Sequence, residues 1–267
     1  MPKYICGATS DIGVGREQQE DFVQFCELDE ETLLCIVADG TGSMPQRPQP
    51  ASIVAMDIIE NIKDSFGKKP DLLIKYPKFF LEKAMNDANR ILGAFQMGNE
   101  ELFSGYSASV TCCLFLPDRK IAIGHSGNTR LYIIRNGKVN LITHDHTQAY
   151  ELLQEGKIDS ETYYVHDGRL KLTSGIGKII NPRIDTISGK LQEQDLVLMT
   201  TDGIHYALRP DAMSEIILNS PPEGTEATNA LVNAAKNIVK YPDNMSAMLI
   251  YMPSGFHSLL RGLHPHH

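Results

Sequence analysis

Two stretches of the chain end in the same way. They are Leu33-Leu34-Cys35-Ile36-Val37-Ala38-Asp39-Gly40 and Leu196-Val197-Leu198-Met199-Thr200-Thr201-Asp202-Gly203. Each is an apolar run, typical of a buried β-strand, that stops at Asp-Gly. A carboxylate at a strand end, followed by glycine, is rigidly held yet open to solvent. The two stretches therefore predict a sheet-based fold with acidic groups at the sheet edge.

Two further aspartates occupy similar positions. Asp21 lies in Gln19-Glu20-Asp21, and Asp243 lies in Pro242-Asp243-Asn244-Met245-Ser246. We expect all four aspartates to lie where strand-like runs stop. Brought together, they would form an oxygen-rich pocket suited to hard divalent cations such as Mg2+ or Mn2+. The pattern favours a metal-assisted hydrolase.

Composition limits the other possibilities. A chain of 267 residues suits one large domain or two small ones, and 42% hydrophobic residues can form a substantial core. The net charge of -8 argues against a nucleic-acid partner, because phosphate backbones attract basic surfaces. No apolar stretch approaches the roughly 20 residues of a membrane helix. The N-terminus lacks the layout of a signal peptide.

The cysteines give no sign of zinc or redox chemistry. All of them lie in apolar runs without a CxxC pair, and they are Cys6, Cys26, Cys35, Cys112 and Cys113. Buried free thiols in a reducing compartment account for them best. A reducing compartment favours the cytoplasm. With the composition described above, we expect a monomer that binds neither membrane nor nucleic acid.

Hydrophobic periodicity predicts a mixture of strands and helices. Strands are expected at 4–8, 22–28, 32–38, 107–116, 120–124, 129–135, 138–142, 183–188, 196–201 and 247–252. Helices are expected at 51–66, 76–97, 148–155, 160–164, 211–218 and 226–239, with a loop at 40–50. Asp29-Glu30-Glu31 and Asn136-Gly137 are hairpin signals. Hairpins outnumber strand-helix-strand units, which favours antiparallel sheets with helices on their outer faces in a single domain.

An ordered set of motifs runs along nearly the whole chain. In order they are Ser10-Asp11-Ile12-Gly13 with Arg16 and Glu20-Asp21, Val37 to Gly42, Gly105 to Ser109, Ile123-Gly124-His125-Ser126, Leu141 to His146, Leu172 to Gly177, Thr201-Asp202-Gly203, and Asp243-Asn244. Together they resemble the metal-dependent type 2C protein serine/threonine phosphatases, the PPM family. The resemblance implies an α+β, four-layer sandwich of two central antiparallel sheets flanked by helical layers.

The resemblance also implies a two-metal centre of Mn2+ or Mg2+ at one edge of the sandwich. Asp39 would bridge both ions, and Gly40 would offer its carbonyl to one of them. Asp202 and Asp243 would hold the other ion, and Asp21 would complete the shell. The domain would span 1–253, with a flap at 148–170 beside the cleft and a C-terminal tail at 254–267.

Further residues would surround these ligands. Glu20 would act through water, Arg16 would bind the substrate phosphate, and Asn244 and His125 would lie outside the ligand shell. His125 stands where the family's Gly-Asp-Ser-Arg has an aspartate associated with a third ion, and Gly127-Asn128 follow Ser126 in place of the arginine. We therefore expect two tightly bound ions and a weak third site. Thr41 replaces a histidine or methionine near the cleft, so a histidine acid is absent there.

The implied function is hydrolysis of phosphoserine and phosphothreonine in proteins by a metal-activated water. Metal ions would lower the pKa of that water and neutralise the phosphate dianion, so no covalent intermediate is needed. A cysteine phosphatase is disfavoured because no cysteine lies in a phosphate-binding loop. Two alternatives stay open, a phosphatase-like regulatory or binding domain with low turnover and a phosphatase of small molecules.

Overall fold

Two five-stranded sheets form the centre of the protein. The computed structural model describes residues 3–42, 47–98, 105–221, 224–238 and 243–252. Its strands are β1 (Ile5–Asp11), β2 (Asp21–Glu27), β3 (Leu33–Thr41), β4 (Ser107–Phe115), β5 (Lys120–Ser126), β6 (Arg130–Arg135), β7 (Lys138–Leu141), β8 (Asp185–Lys190), β9 (Leu196–Thr200) and β10 (Met245–Tyr251). One sheet has the order β1-β10-β9-β6-β7 and the other β2-β3-β4-β5-β8. Every pairing of these strands is antiparallel, as predicted.

Helices alternate with the strands along the chain, and several of them cover the outer faces of the sheets. They are α1 (Pro50–Lys68), α2 (Pro70–Lys75), α3 (Pro77–Gly98), α4 (Gln148–Gln154), α5 (Ser160–Val165), α6 (Asp202–His205), α7 (Pro210–Leu218) and α8 (Glu226–Ile238). Short 3-10 turns lie at Pro117–Arg119 and Asp167–Leu170. Proline opens α1, α2, α3 and α7, where its fixed φ suits the first turn and its missing N–H costs nothing.

Three apolar cores separate four layers. Helices α1 and α3 pack on the β2–β8 sheet through residues such as Val54, Ile58 and Met85. The two sheets meet over a second core that includes Val37 and Met248. The third core joins α7 and α8 to the remaining sheet. The predicted four-layer α+β sandwich is therefore confirmed.

Local signals predicted both hairpin turns correctly. The Asp29 Oδ1 atom accepts hydrogen bonds from the amides of Glu31 (2.9 Å) and Thr32 (2.7 Å) at the turn between β2 and β3. Asn136 (φ 51°) and Gly137 (φ 75°) take the left-handed conformations of a two-residue turn between β6 and β7. The periodicity missed the short helices α2 and α6, because six or four residues are too few to display a helical repeat.

The structure corrects the expected burial of the cysteines, and parts of the predicted loop and tail fall on residues that it does not describe. Cys35, Cys112 and Cys113 are buried, but Cys6 and Cys26 are only partly so. Residues 43–46 of the predicted loop and the whole predicted tail at 254–267 lie outside the described residues. Within the described ranges, no helix has the length and apolar character needed to cross a bilayer.

Candidate metal centre

The four predicted aspartates gather at one edge of the sandwich. Asp21 opens β2 and lies directly opposite Asp39 in the β2–β3 ladder. Asp202 opens α6 after β9, and Asp243 lies two residues before β10. The expectation that all four close strands is therefore wrong for Asp21 and Asp243. They still meet the others, because in antiparallel sheets the start of one strand shares an edge with the end of its neighbour.

Negative charge is crowded at this edge. Burial raises the pKa of Asp21 to about 8 with smaller contributions from the charges of Asp202 and Asp243, although hydrogen bonds from Thr201 and Ser246 act in the opposite direction. Burial together with the charge of Asp243 raises the pKa of Asp202 to about 7. Burial also raises the pKa of Asp39, and the neighbouring charges of Asp202 and Asp21 add to the effect. These carboxylates repel one another when ionised and need a counter-charge.

Hydroxyl and amide groups orient two of the carboxylates. The Thr201 hydroxyl donates to the Asp21 Oδ2 atom at 2.7 Å and accepts from the Ser246 amide at 3.0 Å. The Asn128 Nδ2 atom donates to the Asp202 Oδ2 atom at 3.0 Å, with Asn128 only 4% exposed. Sequence reasoning missed both contributions. Thr201 could have been suspected from its position directly before Asp202.

Two glycines let the Asp243 segment approach closely. A Cβ atom at Gly203 would lie 2.0 Å from the Asn244 carbonyl oxygen, and one at Gly13 would lie 1.8 Å from that of Asp243. No side chain fits in either gap, so Asp202-Gly203 is more than a turn signal. The Asn244 side chain then accepts from the Glu20 amide at 2.8 Å and donates to the carbonyl oxygen of Ile12 at 2.8 Å. These bonds fasten the 12–20 loop to the acidic edge.

Arg16 lies on this loop beside the carboxylates. Its Nη1 atom is 3.0 Å from the Glu20 Oε2 atom, and its Nη2 atom is 2.6 Å from the Asp243 Oδ1 atom. Burial opposes the charge of Arg16, but Asp243 and Glu20 outweigh it, so the pKa of Arg16 is raised. The Arg16 side chain is 37% exposed. A permanent cation therefore stands at the open rim of the acidic site.

The donor set suits a hard divalent cation. It consists of oxygen atoms only, and the raised pKa values of Asp21, Asp39 and Asp202 mark charge that a dication would relieve. Among the described residues, no group of three or more His, Cys, Asp or Glu side chains is arranged to hold an ion as it stands. Asp243 faces Arg16, and Asp39 shares a hydrogen bond with Asp202. An ion would therefore compete with these two contacts for the carboxylates of Asp243 and Asp39.

The expected position of His125 needs correction. Its ring is fully buried, with Nδ1 2.9 Å from the Thr111 Oγ1 atom and Nε2 3.0 Å from the His144 carbonyl oxygen. Burial, together with nearby His146, lowers the pKa of His125 to about 4. Asn128, three residues later, contacts Asp202 instead.

This contact, together with the sequence, favours another register of the Gly-Asp-Ser-Arg motif. In this register the motif corresponds to Gly127-Asn128-Thr129-Arg130, with asparagine in place of aspartate and threonine in place of serine. The motif's arginine is present as Arg130, and this signal could have given the right register. This register differs from the expectation that Gly127-Asn128 replace the arginine.

Arg130 anchors a buried polar network. Its Nε and Nη2 atoms contact the Asp145 carboxylate at 2.9 and 2.7 Å, and the Tyr163 hydroxyl donates to the same carboxylate at 2.6 Å. His146 contacts the Asp185 Oδ2 atom at 3.1 Å. Asp145 and His146 thus fix the chain where residues 148–170 begin.

Comparison with known proteins settles the family. Residues 9–235 match the family model for Protein phosphatase 2C. The chain belongs to the protein phosphatase 2C family. This confirms the predicted resemblance and, with it, the enzyme class of a protein phosphatase.

Several members of the family cover almost the whole chain. A serine/threonine phosphatase, stp, of Listeria innocua is 24% identical over 243 residues, which is 90% of this chain and 93% of the relative. Protein phosphatase PhpP of Streptococcus pneumoniae is 23% identical, with coverage of 91% and 95%. These protein phosphatase 2C relatives therefore match along their full domain rather than through isolated motifs.

Solved structures share the fold. The serine/threonine phosphatase of S. agalactiae superposes with a TM-score of 0.81 at 21% identity, covering 93% of this chain and 99% of the other. The catalytic domain of the serine threonine protein phosphatase PstP, solved with 2 manganese ions, gives a TM-score of 0.75 at 22% identity, covering 93% and 97%. At these identities the likeness concerns the protein phosphatase 2C fold.

Proposed function

We propose that the chain hydrolyses phosphoserine and phosphothreonine in proteins with the help of two Mn2+ or Mg2+ ions. The observation that carries the proposal is the crowding of Asp21, Asp39 and Asp202 beside the half-exposed cation of Arg16. Metal-binding carboxylates and a phosphate-binding guanidinium are the two elements that phosphoester hydrolysis by metal-activated water requires. The naming of the relatives as serine/threonine phosphatases supports the substrate class.

The ligand assignment is the one that the family resemblance implies, and the gathering of the four aspartates at one edge supports it. Asp39 would hold both ions, with the Gly40 carbonyl on one of them. Asp202 and Asp243 would hold the second ion, with Asp21 completing the site. When bound, the ions would lower the pKa of a water molecule and neutralise the phosphate.

The protein's own groups would prepare this site. Thr201 and Asn128 keep Asp21 and Asp202 oriented. The guanidinium of Arg16 would exchange its present carboxylate partners for the oxygens of the phosphate, which it can bind in a bidentate manner. Glu20 lies 3.0 Å from Arg16 and would act through water. Asn128 carries no charge, so a third ion next to Asp202 would bind weakly.

The proposal extends to the organisation of the molecule. Residues 148–170, containing α4, α5 and the 3-10 turn, would form the flap beside the cleft and contribute to phosphoprotein selection. The whole of 1–253 would act as one domain. We further propose a monomer acting in the cytoplasm, without nucleic-acid or membrane partners.

Phosphate release from a phosphothreonine peptide tests the function. We expect release with Mn2+ or Mg2+, none after EDTA treatment, and little from a matched phosphotyrosine peptide. Hydrolysis of p-nitrophenyl phosphate should show the same metal requirement. Full activity of metal-free protein would refute the mechanism.

The same assay separates the two alternatives. Hydrolysis of p-nitrophenyl phosphate without any release from the peptide would indicate a small-molecule phosphatase. Calorimetric Mn2+ binding without turnover on either substrate would indicate a regulatory or binding domain.

A further inference from the structure

Residues 148–170, called the flap below, are connected to the acidic edge through two side chains. The Asn128 Nδ2 atom donates to the Asp202 Oδ2 atom at 3.0 Å and to the Tyr206 hydroxyl at 3.3 Å. The Tyr206 hydroxyl in turn donates to the Arg169 carbonyl oxygen at 2.7 Å. Asp202, Asn128, Tyr206 and the 3-10 turn of the flap therefore form one continuous hydrogen-bonded chain.

The chemistry of each link fits only one arrangement. An asparagine amide has two N–H donors, and both are used here, one on Asp202 and one on Tyr206. An aspartate at position 128 would have no N–H to offer and would face a second carboxylate. The phenol can accept from Asn128 and donate onward, because burial raises the pKa of Tyr206 and keeps its proton in place.

The environment of Tyr206 strengthens its contact with the flap. The Arg169 guanidinium lies 4.6 Å from the centre of the Tyr206 ring, and that of Arg130 lies 5.8 Å away on the same ring. Arg130 also contacts the Tyr163 hydroxyl of α5 at 2.8 Å. A hydrogen bond and a cation–π contact therefore both hold Tyr206 to the flap.

A second flap contact bypasses the acidic edge. The Arg209 Nη2 atom lies 2.9 Å from the Glu161 Oε2 atom, and both side chains are more than half exposed. The Arg209 guanidinium also lies 4.9 Å from the centre of the Tyr164 ring. This contact supplies a control, because it holds the flap without reaching Asp202.

We propose that Asn128 and Tyr206 are positioning residues that couple docking of the flap to the orientation of Asp202. Coupling of this kind is reciprocal. Fixing the orientation of Asp202 changes the equilibrium constant for flap docking by the same factor by which flap docking changes the equilibrium constant for that orientation. The link itself stands on the hydrogen bonds. Its consequence for ion affinity rests on the proposed function.

Amide hydrogen exchange of the flap turn in metal-free protein tests the link. The Arg169 amide bonds to the His166 carbonyl and the Lys171 amide to that of Gly168, so their exchange reports opening of the turn. Tyr206→Phe should speed exchange at both amides by about fivefold for each hydrogen bond lost. Asp202→Ala should also speed it, because Asn128 loses its fixed partner.

The double variant is decisive. Asp202→Ala combined with Tyr206→Phe should exchange no faster than Tyr206→Phe alone, since the route from Asp202 to the flap is already broken. Arg209→Gln combined with Asp202→Ala should speed exchange by the product of the two single factors, because the Arg209 contact does not pass through Asp202. An unchanged exchange rate in Asp202→Ala, or additive effects of Asp202→Ala and Tyr206→Phe, would overturn the proposal.

Calorimetry with Mn2+ then separates this proposal from the proposed function. The exchange rates of Asp202→Ala, Tyr206→Phe and the double variant form a cycle that gives a coupling factor. Tyr206→Phe should bind Mn2+ more weakly by that factor. Arg209→Gln should bind Mn2+ as tightly as the unaltered protein does. Absence of Mn2+ binding to the unaltered protein would count against the proposed function, while the metal-free cycle still decides the link. Equal Mn2+ affinity in Tyr206→Phe and unaltered protein, despite a positive exchange cycle, would overturn the coupling to ion binding.

Discussion

Replacing Asp21 by asparagine should stabilise the protein without metal and weaken its binding of metal. The ordinary pKa of 3.8 is raised to about 8 at this residue. The folded state therefore holds the Asp21 proton more tightly than the unfolded chain does. Without metal, the free energy of unfolding should fall as the pH rises through the window between these two values. Asp21→Asn cannot ionise, so the variant should lose less stability across that window.

The size of the effect follows from the same pKa. An isolated carboxyl group with this rise would cost folding about 5 kcal/mol near pH 8. Asp39 and Asp202 share the repulsion, so removal of one charge recovers only part of it. The asparagine can still accept from Thr201 but loses one acceptor atom, at a cost of about 1 kcal/mol. We therefore expect a net gain of about 2 to 4 kcal/mol in EDTA near pH 8.

Urea unfolding followed by circular dichroism measures the change in the free energy of unfolding caused by Asp21→Asn. It should be carried out in EDTA, where we expect a gain, and in saturating Mn2+, where we expect a loss. In Mn2+ the unaltered protein should be the more stable of the two, because a ligand that binds the folded state stabilises most the protein that binds it most tightly. Asp195→Asn is the matched control. Asp195 is also buried, but its carboxylate oxygens lie 2.7 and 2.6 Å from the Nε and Nη2 atoms of Arg135. Loss of this paired charge should destabilise the folded protein. If metal-free Asp21→Asn were less stable than the unaltered protein near pH 8, the crowding of charge inferred here would be wrong.

Three further substitutions test individual residues. Asp39→Asn should remove nearly all phosphatase turnover at saturating Mn2+ with an unchanged circular dichroism spectrum, and a normal rate would disprove its assignment as a ligand. Arg16→Ala should raise KM and lower kcat on a phosphothreonine peptide without weakening Mn2+ binding; loss of Mn2+ binding with normal kinetics at saturating metal would contradict its role toward phosphate. His125→Asp should destabilise the fold rather than create a third metal site, because it buries a carboxylate where the imidazole is 0% exposed; a calorimetric third site in a stable variant would contradict the placement of His125.

Sequence patterns predicted the layers of this fold well. The apolar run of β3 and the helical spacing of α1 each report local burial, which depends on neighbours within one or two turns. The Asn136-Gly137 turn fixes its hairpin through backbone preferences alone. The order of the motifs along the chain was enough to identify the family. Elements of four to six residues, such as α6, carry too little periodicity to be found in this way.

Contacts within the site were harder to predict. The choice between His125 and Asn128 depends on which side chain faces Asp202, and both follow a glycine in similar sequence. Arg16 could be placed near phosphate by its motif, but not in an ion pair with Asp243, 227 residues away. Periodicity says that a position is buried and leaves open which distant group it meets.

The sequence by itself determined the strand and helix pattern, the antiparallel hairpins, the family and the oxygen-rich character of the site. Only the tertiary structure decided how these parts meet. The Thr201 hydroxyl reaches Asp21 across 180 residues, and the Asn244 carbonyl comes close to Gly203 because no side chain stands between them. Such contacts arise when two sheets with a common core bring their edges together. Their geometry depends on packing across the whole sandwich, which no local stretch of sequence encodes.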